Sequence, residues 1–262
     1  MDFIPILLDG FNGRESSLAG IKRYIHDITP TMFYRTNDLI HSRRVLWHLE
    51  EAIPDVVSVY GNTFNIDFAR TLALVHDDVE ILTGDAQLYD KERMSKEELD
   101  TLAREEKSAI PRMVKLYNTI ANGIDYGGLL FAAKEKNCLE AQFVSFFDKF
   151  DGGGEAWHEV WAGNSLFLRP AGGNDEARGG YVRRLNEFPS KYPAMAKFFE
   201  QFPNYLPKPF DFRLAAEQGN PHTEKSLQEN SVYPLYERWK RTIMKCEGID
   251  QLITQVEFHE SS

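Results

Sequence analysis

Apolar residues return at helical spacing along most of this chain, and the strict alternation of apolar and polar residues that marks a strand is absent. The pattern predicts helices over residues 37–53, 65–82, 95–122, 138–150, 189–202 and 224–246. One face of the fourth helix carries a stripe of aromatic residues that is expected to lie in the core, namely Phe143, Phe146, Phe147 and Phe150. The expected fold class is therefore all-α.

Local signals predict where several of these helices begin and end. Ser95 followed three residues later by Glu98 is a capping box, which opens the third helix. Pro111 is expected to break or kink that helix, which then resumes to about Asn122. Stops are expected where helix-breaking residues follow the apolar runs, at Pro54, Gly84 and Gly152–Gly154.

The character of the sequence changes at about residue 163. Glycine and proline become frequent between residues 163 and 180, which indicates irregular chain. The sequence therefore predicts a helical domain over residues 1–162 and a helical and irregular extension over residues 163–262 that packs on it.

Composition narrows the class of protein. Hydrophobic residues make up 42% of the chain and charged residues 27%, as in ordinary globular proteins, and no apolar run is long enough to span a membrane. A net charge of −10 argues against a nucleic-acid partner, and a small anionic substrate would need local cations or a metal. The short apolar start lacks a basic leader, and the only two cysteines, Cys138 and Cys246, favour a reducing, cytoplasmic location over a disulfide scaffold.

The second predicted helix carries an ionisable pair, His76-Asp77, within an otherwise apolar run. Burying such groups is costly unless they form hydrogen bonds, pair or bind a metal. Taken alone, the pair is more often a satisfied hydrogen-bonding pair than a metal site. The interpretation changes because His41 lies on the preceding helix and Asp148 on a later one.

Together His41, His76, Asp77 and Asp148 offer a shell of nitrogen and oxygen ligands without sulfur. Such a shell suits one divalent metal, and manganese, cobalt, iron, zinc and magnesium all remain open. Asp151 lies three residues beyond Asp148, so either aspartate is a candidate for the last ligand.

The order His … His-Asp … Asp on successive helices resembles the HD superfamily of metal-dependent phosphohydrolases. The stretch from His76 to Asp85 is similar to the His-Asp-x-x-Glu-x-x-Thr-Gly-Asp signature of the bacterial HD-domain 5′-nucleotidases, which act on deoxyribonucleoside monophosphates. Tyr34-Arg35 and Phe147-Asp148-Lys149-Phe150 resemble two further motifs of that family. The resemblance covers roughly residues 20–162 and implies an HD-type helical bundle.

The resemblance also implies roles for individual residues. Glu80 would position or deprotonate the attacking water, and Asp85 would protonate the leaving oxygen or orient the sugar. Arg35 would clamp the phosphate, with Thr83 of the signature also at the substrate. Lys107, on the third predicted helix, is a further candidate for binding phosphate, although most such lysines are solvated.

The expected function is therefore a metal-dependent phosphomonoesterase acting on nucleoside 5′-monophosphates, deoxyribonucleotides in particular. An HD phosphodiesterase or an alarmone or nucleoside polyphosphate hydrolase is the alternative enzyme, although Ile81 stands where alarmone hydrolases typically have aspartate. A degenerate HD module used for binding is the alternative of another class. Residues 163–262 are open to a role in access to the site or in forming a homodimer.

Overall fold

The computed structural model describes residues 7–25, 37–91, 93–161, 176–207 and 233–245. These residues are mainly helical, which confirms the all-α class. The helices are α1 (Arg14–Gly20), α2 (Asp38–Tyr60), α3 (Ile66–Val75), α4 (Glu80–Thr83), α5 (Leu88–Lys91), α6 (Lys96–Leu116), α7 (Tyr126–Glu135), α8 (Leu139–Trp161), α9 (Glu176–Lys191), α10 (Pro193–Gln201) and α11 (residues 233–245). Within the described ranges, no helix has the length and apolar character needed to cross a membrane.

Helices α2, α3 and α8 pack against one another at the centre of the molecule. The aromatic stripe of α8 lies in this core as predicted, because its four phenylalanines are all buried. Helix α9 packs on α8, and α10 packs on α9 and α8, so both helices lie directly against the central group. The candidate site lies where α2, the end of α3 and the middle of α8 meet.

Several predicted helix ends are confirmed and others are wrong. The capping box at Ser95 and Glu98 is present at the start of α6, and Gly84 ends α4 with φ 76°. Pro54 does not end α2, which continues to Tyr60, since Val56 beyond the proline is buried in the core. A proline removes one helical hydrogen bond, and tertiary packing of the following turn outweighs that loss.

The predicted continuation of the third helix to Asn122 is also wrong. Helix α6 runs through Pro111 and ends at Leu116. A short antiparallel hairpin follows, in which β1 (Ile120–Ala121) pairs with β2 (Ile124–Asp125). Its turn is Asn122-Gly123, and both residues have positive φ, as a two-residue hairpin turn requires.

The glycines Gly152–Gly154 were expected to stop the fourth helix, but they lie inside α8. A Cβ at Gly152 would lie 2.8 Å from the ring of Tyr181, and one at Gly154 would overlap the indole of Trp239. The glycines therefore allow aromatic side chains from α9 and α11 to approach the backbone of α8. Helix propensity, which is a local property, does not include this packing. The packing stabilises the helix across glycines, which usually end a helix.

The single helix predicted over residues 65–82 is interrupted. Helix α3 ends at Val75, and residues 76–79 form a tightened turn with backbone hydrogen bonds from Asp78 to Val75 and from Glu80 to Asp77. The break falls on the predicted His76-Asp77 pair. The two side chains are therefore presented from a turn rather than from the side of a regular helix.

A buried ion pair fixes this turn. Arg14 donates from Nε to Asp78 Oδ2 at 2.7 Å and from Nη2 to Asp78 Oδ1 at 2.6 Å, and the hydroxyl of Tyr126 donates to the same carboxylate at 2.8 Å. Arg14 also donates to the carbonyl of Leu74. This two-pronged contact holds the backbone next to His76 and Asp77 in one conformation.

We expect Arg14→Met to lower the free energy of unfolding by about 3–5 kcal/mol, because it leaves the Asp78 carboxylate buried without its counter-charge. Urea unfolding measures the change. Arg183→Met is the matched control: the Arg183–Glu187 pair at 2.9 Å is about half exposed, so the loss should stay within about 0.5 kcal/mol. Equal losses in the two variants would contradict a structural role for the buried pair.

Some predictions fall outside the described residues. They are Arg35, Cys246, the first part of the irregular chain predicted over 163–180 and the first part of the helix predicted over 224–246. The irregular chain is wrong for residues 176–180, which lie in α9, and the helix predicted over 189–202 is divided between the end of α9 and α10.

Candidate metal centre

The four predicted ligands lie together. Nε2 of His41 on α2 is 3.6 Å from Asp77 Oδ2 and 3.3 Å from Asp148 Oδ1 on α8. Nε2 of His76 is 3.2 Å from the same Asp77 oxygen. Ligand atoms of His41, His76 and Asp148 all lie within 4.8 Å of one another.

The Nδ1 atom of each imidazole, on the side of the ring away from the centre, contacts an oxygen atom that orients the ring. His41 Nδ1 lies 2.7 Å from Asp151 Oδ2, and His76 Nδ1 lies 2.8 Å from the carbonyl oxygen of Ala73. Each Nδ1 is thus placed to donate its proton, which leaves the lone pair on Nε2. Both Nε2 atoms are buried and make no hydrogen bond within the described part of the chain.

These two nitrogens without hydrogen bonds show whether the site fits a metal ion. A buried polar atom without a hydrogen bond is costly, and here two of them point at two carboxylates. Metal-bound histidines usually donate their other ring N–H to a carboxylate or a carbonyl, which is the arrangement of His41 and His76. The residues therefore fit one divalent cation held by two nitrogens and two carboxylates.

The two candidates for the last ligand occupy different sides of His41. Asp148 faces Nε2, on the side of His76 and Asp77, whereas Asp151 faces Nδ1. Asp151 Oδ1 also accepts from Trp239 Nε1 at 2.7 Å and lies 3.4 Å from His48 Nε2. Asp148 is therefore placed to bind a cation, and Asp151 is placed to orient His41.

The charges of the centre are strongly coupled. Burial and Arg23 lower the pKa of His41, but Asp148 and Asp151 outweigh them and raise it to about 9. Burial raises the pKa of Asp77, yet the two histidines hold it well below its usual range. The centre thus attracts a proton or another cation, as expected of closely spaced carboxylates and imidazoles that are largely buried.

Glu80 belongs to a second group of acidic side chains beside this centre. Oxygen atoms of Asp38, Glu80 and Asp85 lie within 4.8 Å of one another. Glu80 is buried, its Oε2 makes no hydrogen bond to the described residues, and burial with Asp77 and Asp85 raises its pKa well above the ordinary value. Burial likewise raises the pKa of Asp38 to about 7, against the opposing charge of Arg23. The Asp38 carboxyl group therefore exchanges a proton near neutral pH.

A cavity of about 320 Å³ opens onto these residues. Its wall includes His76, Asp77, Glu80, Asp85 and Asp148. The basic side chains of the wall are Arg23, Lys91, Lys107, Lys134, Lys136, Lys149 and Arg184. The wall thus carries seven basic and five acidic side chains, an excess of positive charge in a chain of net charge −10, which favours an anionic ligand.

The predicted substrate residues are placed unevenly. Lys107 lines the cavity, but its Nζ pairs with Glu135. Asp85 also lines it and accepts from the side-chain amide of Gln87. Thr83 is not among the lining residues, and its hydroxyl donates to the carbonyl of Val79 at 3.2 Å.

Arg23 was missed from the sequence. It lines the cavity, and its Nη1 lies 3.6 Å from Asp38 Oδ1 and 3.9 Å from Asp77 Oδ2. The available signal was a local one, since Arg23-Tyr24 is another Arg-aromatic pair close before α2. The extension also contributes to the wall through Tyr181 and Arg184 of α9, for which the sequence offered no signal.

The comparisons with known proteins add little to this geometry. No family model matches the sequence, and no curated protein matches it. A solved structure of a conserved hypothetical protein from Pyrococcus furiosus is similar at 18% identity and a TM-score of 0.48, covering 70% of this chain and 93% of that one. A likeness of this degree identifies neither a family nor an activity.

Proposed function

We propose that this protein is a metal-dependent phosphohydrolase of the HD type that hydrolyses nucleoside 5′-monophosphates. The observation that carries the proposal is the pair of buried Nε2 atoms of His41 and His76, which make no hydrogen bond within the described chain and face the carboxylates of Asp77 and Asp148. These four residues would hold the cation. When bound, it supplies Lewis acidity toward a phosphate oxygen and toward water.

The other residues of the cavity have roles that follow from their positions. Arg23 presents a guanidinium beside the centre, where it can bind a phosphate group and take the part that the resemblance gives to Arg35. Glu80 would be the base, because it lines the cavity beside Asp77 and its Oε2 makes no hydrogen bond to the described residues. Asp85 accepts a hydrogen bond from Gln87 and would protonate or orient the leaving group.

A second candidate function is hydrolysis of a substrate with more than one phosphate group. Lys136 lines the cavity, and burial together with Lys149 and Lys134 lowers its pKa to about 8. An additional anion would reduce the repulsion between these neighbouring lysines. This observation favours a nucleoside polyphosphate or a bis-phosphate as the alternative substrate class.

Phosphate release from purified protein supplied with Mn²⁺ or Co²⁺ tests the proposal. The substrates are mono-, di- and triphosphates of ribo- and deoxyribonucleosides, with cyclic and bis-phosphorylated nucleotides. We expect release from the 5′-monophosphates that stops when a chelator removes the metal and returns when metal is restored.

The pattern of release separates the alternatives. Release only from polyphosphates, bis-phosphates or cyclic nucleotides would replace the proposed substrate class with the second candidate. Metal binding without release from any of these substrates would contradict the enzyme and favour a binding module.

A further inference from the structure

Helix α11 reaches the candidate metal centre from the far end of the chain. Its Trp239 is buried and donates from Nε1 to Asp151 Oδ1 at 2.7 Å. The other oxygen of Asp151 lies 2.7 Å from His41 Nδ1. Two hydrogen bonds therefore connect α11 to the imidazole whose Nε2 faces the centre.

The indole is fixed in place by its surroundings. Its ring occupies the space left by the missing side chain of Gly154, and the guanidinium of Arg44 lies 5.4 Å from its centroid. Arg44 is itself paired with Glu155 of α8. Trp239 therefore has one orientation available, with its N–H directed at Asp151.

We propose that Trp239 is a positioning residue that acts through Asp151 to fix the ring of His41, and thereby raises the affinity of the centre for a divalent cation. The inference rests on the proposed metal centre, and it gives residue Trp239 of the C-terminal segment a role in that centre. A carboxylate held by a donor on each oxygen does not rotate, so the bond to His41 Nδ1 keeps its direction. Without the indole N–H, the nearby donor that remains to the buried Asp151 Oδ1 within the described part of the chain is His48 Nε2, at 3.4 Å.

The expected size of the effect follows from the length of the connection. Loss of a group that hydrogen-bonds directly to a metal-binding histidine costs about 10–100-fold in metal affinity, which is the expectation for Asp151→Asn. Trp239 is one bond further away, so Trp239→Phe should raise the Kd for Mn²⁺ or Co²⁺ by roughly 3- to 10-fold. Phenylalanine keeps an aromatic ring at this position next to Gly154, and it removes the N–H donor together with part of the volume of the indole.

The test is titration of the full, metal-free chain with Co²⁺, followed by calorimetry and by the visible absorption of the bound ion. Tyr236→Phe is the matched control, because it lies on the same helix, keeps its ring and loses its contact with His158 Nδ1 at 3.1 Å rather than with Asp151. We expect a raised Kd and a shifted cobalt spectrum for Trp239→Phe, and parental values for Tyr236→Phe. In a double-variant cycle, Trp239→Phe should add nothing to Asp151→Asn, since both act on one bond to His41.

Parental affinity in Trp239→Phe, an equal loss in Tyr236→Phe, or additive losses in the double variant would each overturn the inference while leaving the proposed function in place. Absence of cobalt binding by the unmodified chain would overturn both. If Trp239→Phe does not fold, the Trp239 Nε1–H resonance of the unmodified protein, assigned from its contacts with Arg44 and Gly154, replaces it. A shift on addition of Zn²⁺ supports the connection, and an unchanged signal contradicts it.

Discussion

Replacing His76 with alanine is expected to abolish stoichiometric metal binding. His76 supplies one of two imidazole nitrogens at the centre, and loss of a ligand should weaken binding by more than the roughly 100-fold upper range seen for residues behind a ligand. Metal analysis of the purified protein measures the content directly. A thermal unfolding scan gives a second measure, since a cation at 100 times its Kd stabilises the folded state by about 2.7 kcal/mol.

The control for this variant is His158→Ala. His158 lies on α8, its Nδ1 lies 3.1 Å from the hydroxyl of Tyr236, and it is not among the ligand groups of the centre. It should keep the parental metal content and the parental rise in melting temperature on addition of Mn²⁺. Unchanged metal content in His76→Ala would refute the metal centre itself.

The second large effect is expected from Glu80→Gln. Glutamine keeps the size of the side chain but cannot accept a proton, so kcat should fall by about 10²- to 10⁴-fold, the usual contribution of a general base. The Kd for Mn²⁺ should stay close to that of the parent, because Glu80 is not one of the four ligands. Steady-state kinetics with a nucleoside monophosphate and a separate metal titration distinguish the two quantities.

Glu106→Gln provides the comparison within the same cavity. Glu106 lines the wall but is paired with Lys134 at 3.0 Å, so its carboxylate is occupied by a structural contact. Its kcat should remain within about 3-fold of the parent. A similar fall in kcat in both variants would show that the effect comes from the altered charge of the cavity. It would contradict the role of Glu80 as the base.

The candidate ligands could be predicted from the sequence because burying ionisable side chains costs free energy unless they form hydrogen bonds, pair or bind a metal. His76-Asp77 stands out within an apolar run, and the structure brings it together with His41 and Asp148. Helix starts were equally readable where a side chain caps its own backbone, as Ser95 does with Glu98. Such signals are local in sequence, so they can be recognised without knowledge of the fold.

What the sequence could not supply depends on contacts between distant segments. Gly152–Gly154 were taken for a stop because their role requires the rings of Tyr181 and Trp239, which follow much later in the chain. Arg23 was passed over because its neighbour Tyr24 does not by itself indicate that Arg23 lies beside Asp38 and Asp77. The break at residues 76–79 likewise depends on Arg14, 64 residues before its partner Asp78.

The bond between Trp239 and Asp151 also has a consequence for biosynthesis. The two residues are separated by 88 positions. A ribosome adds about 5–20 residues per second, so Asp151 is made roughly 4–18 seconds before the indole that holds it. Any cation captured during that interval meets a centre whose His41 is oriented by Asp151 alone. At the proposed metal centre, secure loading would thus be a late event, after translation has passed residue 239 and α11 has docked.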